Sequence, residues 1–368
     1  MKLIDRMISR ELLVNFGFAV AVLSFVLVLG NILKRLLPLL VNHDVPVEYL
    51  LTFVAFILPF SLIFTIPWAL LTAVLLVFGR LSAENELVAL RANGVSLTRL
   101  AVPLAVIAVV CTGISLWLNV DVAPAAQQKL KQTVFDLATR NPMALFGSDQ
   151  VIDQFPGRKI YVGKKDGNNL ENIIVFETDQ NSMPIRVTQA RKGTLETDLP
   201  NQRILMHLYG ARYQQRDEQN PSDLQKIRDG INMEEGTLPI SLDALYQKGK
   251  QRPSRSAMSI EQLFEQLKSV DQREQSASRT EINKRFAFPF SCLAFALIAV
   301  PLGITAHRRE TSMGFLIGLV VAFAYFFFVI VADTLRANPA AHPEWLVWYP
   351  NILFLALGAW LFRRTART

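Results

Sequence analysis

A 368-residue chain that is 51% hydrophobic, with a mean hydropathy of +0.28, is too apolar for a soluble globule, yet 19% of it is charged, too much for a protein confined to lipid. Together these numbers require apolar spans plus a substantial wet domain. The net charge of +7 does not mark a nucleic-acid binder, because the cations cluster at the ends of apolar runs and through the polar middle, with no nucleic-acid motif beside them.

The first apolar run covers residues 12–33 and follows Lys2, Arg6 and Arg10. It is longer than the apolar stretch of a secretory leader and no small-residue cleavage pattern closes it, so it reads as an uncleaved first span. The second, about residues 50–79, contains Pro59 and Pro67 and is expected to kink or tilt. The third covers about 100–120. After a long polar stretch come three more, at about 286–305, 313–333 and 345–362.

The cations orient these six spans. With the N-terminus inside, the inner segments hold Lys2, Arg6, Arg10, Arg80, Arg91, Arg99, Arg308, Arg309, Arg363, Arg364 and Arg367, against only Lys34, Arg35 and Arg336 in the short outer loops. The positive-inside rule then predicts both termini in the cytoplasm of a multi-pass inner-membrane protein, with residues 121–284 outside. Trp345, Trp348 and Tyr349 fit an outer aromatic belt.

The segment from Gly79 to Gly94 is rich in helix formers between Ala83 and Ala92. Ala83, Leu87 and Leu90 share one stripe, Glu86 and Arg91 project elsewhere, and Gly94 is placed to end the helix. Two readings stand side by side. One is an interfacial helix that merely joins two spans. The other is a coupling helix whose acidic residues dock into a basic pocket of a cytosolic protein, unlike the Lys/Arg-rich polar face of a lipid-bound helix.

The middle of the chain changes period. Residues 159–162, 173–177, 185–190 and 204–213 read as strands, with Lys165-Asp166-Gly167-Asn168 as a hairpin turn, so an antiparallel sandwich or jelly roll is expected. Residues 214–230 read as a loop. Ser259 and Gln262 form a capping box ahead of a helix that leads to the fourth span. His207 is the only histidine of this domain and reads as a strand-surface or satisfied core residue. Asp153, Asp166, Glu171 and Glu177 show no acid/base spacing. No catalytic residue or metal site is therefore expected. Cys111 and Cys292 lie in apolar runs and read as packing residues.

The order of Arg10-Glu11-Leu12, the Gly79–Gly94 loop, Asn141-Pro142, Pro289-Phe290-Ser291-Cys292 and Ala299-Val300-Pro301-Leu302-Gly303 along a six-span chain resembles the lipopolysaccharide-export permease family, LptF/LptG, and is closer to the LptF type. The resemblance implies a membrane α-helical fold with an inserted antiparallel β-jelly-roll periplasmic domain: residues 1–120 with three spans and a coupling helix at about 80–94, residues 121–284 periplasmic, residues 285–368 with three more spans. It implies a non-catalytic permease subunit that extracts lipopolysaccharide, paired with a second permease, LptG-like or itself. A cytosolic ATPase dimer and a periplasmic bridge protein of jelly-roll type complete the set of partners. The coupling glutamate corresponds to Glu86, with Glu84, Arg91 and Gly94 in the same segment, and Arg35, with Lys34 beside it, matches the family's lipid-contacting position. No cofactor is expected in this chain, which has no Gly-x-x-x-x-Gly-Lys-Ser/Thr loop, so ATP belongs to the partner. From the residues alone, Lys34 and Arg35 either snorkel to headgroups or capture an anionic glycolipid. The alternative to export is a mechanotransmitting subunit that regulates a periplasmic partner without moving lipid.

Overall fold

The computed structural model describes residues 2–40, 47–140, 146–152, 155, 157–178, 184–198, 203–215, 228–241, 254–268, 271–306 and 311–367. Asn141-Pro142, Asp153 and His307-Arg308-Arg309 lie outside them.

Six described helices are long and apolar enough to cross a membrane. In chain order the elements are α1 (Lys2–Leu40), α2 (Val47–Ala83), α3 (Glu86–Ala92), α4 (Leu97–Trp117), a π-turn (Leu118–Val122) and α5 (Ala123–Arg140). Strands β1 to β6 follow, then α6 (Ile260–Gln266), α7 (Gln272–Ala287), a 3-10 turn (Phe288–Phe290), α8 (Ser291–Ala306), α9 (Thr311–Thr334), α10 (Pro343–Leu346) and α11 (Tyr349–Arg367). The third span does not stop where its apolar run does. It continues through the π-turn into α5, and buried Asn119 caps the irregularity by donating Nδ2 to Ser115 O at 2.8 Å.

The chain divides into two compact units. The first comprises Met1–Gly30, Ala55–Gln128 and Pro253–Thr368. Its centre is α2 and the span formed by α7 and α8, whose apolar windows are each 72% buried, against 22–39% for the other four. Leu70, Leu71, Val74, Leu75 and Phe78 share one core with Cys292, Phe295, Ile298 and Ala299. A small residue sets the spacing: a Cβ on Gly303 would lie 3.2 Å from Leu75 O and 3.3 Å from Phe78 Cβ. Both cysteines are free and buried in this core. The Ser259–Gln262 capping box forms in both halves. The helix it opens is only seven residues long, and a second one, the polar α7, leads into α8.

The second unit, Asn31–Val54 and Lys129–Arg252, contains the antiparallel β domain inserted between the third and fourth spans. Its strands are β1 (Gln150–Ile152), β2 (Arg158–Asp166), β3 (Asn169–Thr178), β4 (Pro184–Asp198), β5 (Arg203–Gln215) and β6 (Arg228–Ser241). They pair strictly in chain order, so the sheet is a meander; a jelly roll adds Greek-key crossovers to such strands. The β2–β3 turn centres on Gly167-Asn168, closed by the Asp166–Asn169 pair, with Gly167 at φ +57°. β5 runs to Gln215 and β6 begins at Arg228, which trims the expected loop at both ends. Ile160, Val162, Ile173, Val175, Ile204 and Met206 build a separate core with Phe146 and Phe155.

One line crosses this sheet. Gly163, Asn172, Arg191, Gly210 and Glu234 are passed over by the ladder in each adjoining strand pair. Around it the buried positions run 170 to 173, 190 to 193 and 208 to 211, three apart instead of two. Asn172 and Gly210 have φ of +53° and +60°. The register is the same on both sides of the line, so the inward and outward faces exchange in all of these strands together without a two-against-one bulge.

Candidate functional site

The Gly79–Gly94 segment carries a network of paired charges on the first unit. Its geometry begins with Asn85. Residues 84 and 86 would point in nearly opposite directions on a continuous helix, being two positions apart. Asn85 instead adopts φ 59°, ψ 10°, a left-handed conformation that asparagine tolerates better than most residues. It ends α2 and restarts the chain as α3, and this turn brings Glu84 and Glu86 onto one cation.

That cation is Arg80. Its Nη1 donates to Glu84 Oε2 at 2.6 Å and to Glu86 Oε1 at 3.2 Å. Its other two donors form a fork on Glu11 of α1, Nε to Oε1 at 2.6 Å and Nη2 to Oε2 at 2.7 Å. Parallel N–H···O bonds of this kind are the strongest geometry available to an arginine and a carboxylate. Nearby, Arg99 Nη2 donates to Asp5 Oδ2 at 2.6 Å, a second tie to α1.

The far end of α3 closes by hydrogen bonding of the Schellman type. Gly94 N–H donates to Arg91 O at 2.9 Å and Val95 N–H to Leu90 O at 3.1 Å, with Gly94 at φ +81°. Leu87 is buried in the span core, and Leu90 and Val95 pack against it. Arg91 Nη2 donates to Ala366 O at 3.4 Å near the end of α11, and Ser82 Oγ to Ile304 O at 2.9 Å near the end of α8. The segment is thus tied to α1, α8 and α11. Its open face presents Ala83, Glu84, Asn85, Val88, Ala89 and Ala92, so Ala83 is exposed where the sequence had put it on the apolar stripe with Leu87 and Leu90.

The structure therefore gathers Glu84 and Glu86 on one atom and places Arg91 and Gly94 at the other end of α3. Lys34 and Arg35 fall on α1, and their side chains lie outside the described residues. Sequence reasoning missed Arg80 and Glu11 as members of this group. The signals were present separately: Arg80 stands four residues before Glu84, and Glu11 was noted only as part of an N-terminal triplet.

A second charged group was also missed. On α7, Glu281 accepts from Lys284 Nζ at 2.8 Å and pairs with Arg285 at 3.6 Å, while Lys284 also reaches Asp333 of α9 at 3.3 Å. Arg285 is almost wholly buried and donates Nη2 to the carbonyls of Arg255 and Ser256 at 2.9 and 3.2 Å. Asp333 and Arg336 are paired at 3.6 Å.

On the β domain, His207 bonds Thr237 Oγ1 at 3.0 Å and Glu196 Oε2 at 3.2 Å, a satisfied strand residue as expected. Glu177 is held by Arg158 and Arg186. An open cavity of about 800 Å³ lies along the line of Asn172, Arg191, Gly210 and Glu234, lined also by Gln189, Arg212 and Asn232 among others. Among the described residues no group of three His, Cys, Asp or Glu side chains has the geometry to hold a metal ion.

Comparison with known proteins places these features in a family context. The family described as Lipopolysaccharide export system permease LptF/LptG matches residues 6–364. The chain is also similar to the lipopolysaccharide export system permease protein LptF of Escherichia coli K12, of E. coli O157:H7 and of Shigella flexneri. Each is 23% identical over 335 residues, which covers 89% of this chain and 85% of the relative.

Proposed function

The chain belongs to the LptF/LptG family of lipopolysaccharide export permeases, and from that premise we propose that it is the non-catalytic membrane subunit of an ATP-driven exporter. In this reading it withdraws lipopolysaccharide from the outer leaflet of the inner membrane and passes it through its β domain to a periplasmic bridge protein. A cytosolic ATPase dimer supplies the energy, and a second permease, LptG-like or another copy of this chain, completes the membrane cavity. Both termini lie in the cytoplasm and residues 121–284 in the periplasm, which agrees with the eleven-to-three distribution of cations.

The observation that carries the reading is the segment at residues 79–94 within a family match that spans nearly the whole chain. A helix that merely joined two spans would need no ties to α1, α8 and α11. The segment has them, through Arg80 and Ser82 at the end of α2 and Arg91 of α3, and it leaves Val88, Ala89 and Ala92 exposed. Glu86, with Glu84 beside it, is the acidic contact for a basic pocket on the ATPase; Arg91 and Gly94 hold the helix in place behind them. Lys34 and Arg35 are the cations assigned to the phosphates of the glycolipid, for which charge-assisted bonds from arginine are well suited.

The test is purification of the tagged chain in gentle detergent, with mass spectrometry of co-purifying proteins and lipids. An ATPase recovered together with phosphorylated glycolipid is the expected result. An ATPase without glycolipid would replace export with mechanotransmission to a periplasmic partner, and neither would overturn the coupling assignment as well.

A further inference from the structure

We propose that Arg80 is the joint that carries motion of the coupling segment into the first span, with Glu11 as its fixed end and Glu84 and Glu86 as its releasable end. This inference rests on the reading of residues 79–94 as a coupling element and adds what that element acts upon.

The four contacts of Arg80 are unequal. The fork on Glu11 uses two donors and two acceptors at 2.6 and 2.7 Å, and the Glu11 side chain is 22% exposed. The Glu84 side chain is 52% exposed and stands four residues on in the chain, just past the end of α2, and exposed ion pairs at this spacing contribute only a few tenths of a kcal/mol. Glu86 is 41% exposed and meets Arg80 through a single, longer bond of 3.2 Å. A basic residue arriving from a partner can therefore take Glu86, and Glu84 with it, at little cost. It cannot easily take Glu11, which is shielded and held by a geometry that a point charge does not match.

Direction follows from connectivity. Glu84 and Glu86 lie on either side of the left-handed Asn85, where α2 has ended and α3 begins, so a pull on α3 is felt first at this turn. Arg80 is in the last turns of α2, which is packed at the centre of the first unit, whereas α1 is the least enclosed span, with 22% of its apolar window buried. A displacement at the turn is thus passed through the Arg80–Glu11 fork to the span with the fewest other constraints. Asp5–Arg99 supplies a second tie on the same helix, so α1 moves as a body and does not fray.

The experiment uses the whole exporter purified through this chain and reconstituted with lipopolysaccharide in proteoliposomes, with ATP hydrolysed, lipid released and thermal unfolding measured together. Glu11→Gln keeps the shape of the side chain but removes the charge and one acceptor. It is expected to leave assembly and the unfolding temperature close to those of the native complex and to lower lipid released per ATP by about fivefold or more, the ordinary lower bound for coupling between sites. Arg80→Lys, which keeps charge without the fork, is expected to fall between Glu11→Gln and the native chain. Wild-type lipid release per ATP in Glu11→Gln would overturn the proposal, and so would a loss that merely tracked loss of assembly or of thermal stability. Glu86→Ala separates the two layers. If it stays coupled, the reading of the segment itself fails; if it uncouples while Glu11→Gln does not, only the joint fails.

Discussion

The Tyr325 hydroxyl of α9 donates to Asn351 Oδ1 of α11 at 3.1 Å, and Asn351 Nδ2 donates in turn to Ala287 O of α7 at 2.6 Å. One amide therefore joins three spans where Tyr325, Phe288, Phe295 and Phe354 exclude water. Asn351→Leu removes both bonds from an apolar site and leaves the Tyr325 hydroxyl with Ser291 as its remaining side-chain partner. The expected cost is about 1–3 kcal/mol, read as a lower unfolding temperature in detergent. Full stability in the variant would mean that the chain is not what fastens these helices.

Glu281→Gln tests the buried charges of α7. Arg285 is almost wholly buried, with its Nη1 lacking a hydrogen-bond partner, and Glu281 is the carboxylate paired with it. Loss of one member of a buried pair leaves the other uncompensated, at roughly 3–5 kcal/mol. The double replacement of Glu281 and Arg285 by residues of similar size that carry no charge is expected to recover part of that loss. Equal destabilisation by the single and double variants would remove the ion pair as the cause.

Asn85→Gly and Asn85→Val are expected to part company. Glycine adopts the left-handed turn freely, whereas a β-branched residue resists it. The valine variant should lower the lipid released per ATP because Glu84 and Glu86 no longer meet on Arg80; the glycine variant should not. Identical behaviour of the two would separate coupling from the geometry of this turn.

Gly94→Ala places a side chain at φ +81° with nothing within 4 Å to clash, so the cost is conformational alone, roughly 1–2 kcal/mol. Faster amide exchange confined to α3 is the expected reading. Gly193→Ala fails for a different reason. Its Cβ would sit 2.9 Å from His207 O, a backbone atom that cannot move aside without disturbing β5. Cleavage of the β domain by protease at a lower temperature, with the spans unaffected, is the expected outcome.

Lys34 and Arg35 give the last test. Their joint replacement by alanine should weaken binding of phosphorylated glycolipid more than of its dephosphorylated form, since charge-assisted bonds to phosphate disappear while apolar contacts remain. Equal loss for both lipids would return these residues to a snorkelling role.

Much of this protein was legible before folding. Spans are a property of composition over about 20 residues, so all six were visible from local hydropathy. Strands β2 to β5 were visible because apolar residues recur in short runs bounded by turn residues, as at Gly167. The capping box at Ser259 and Gln262 was visible because both partners are three positions apart. β6 was not: Asn232-Met233-Glu234-Glu235-Gly236 has no alternation, and its pairing with β5 supplies the order that its own residues lack. Nor was the burial of α7, whose polar residues are accommodated inside by pairing with one another and with Asp333.

The candidate site divides along the same line. Glu84, Glu86, Arg91 and Gly94 were read from one short segment, because helix formers, acidic residues and a terminal glycine are local signals. The charge that organises them was decided by tertiary structure alone. Glu11 and Arg80 are 69 residues apart and lie on different spans, and no periodicity relates them. Only the packing of α1 beside α2 brings the carboxylate within reach of the guanidinium, and only the left-handed turn at Asn85 folds two diverging glutamates onto the same nitrogen. Hydropathy places helices in a membrane one at a time; which of their charges meet depends on the side-chain packing that fixes their rotation and depth.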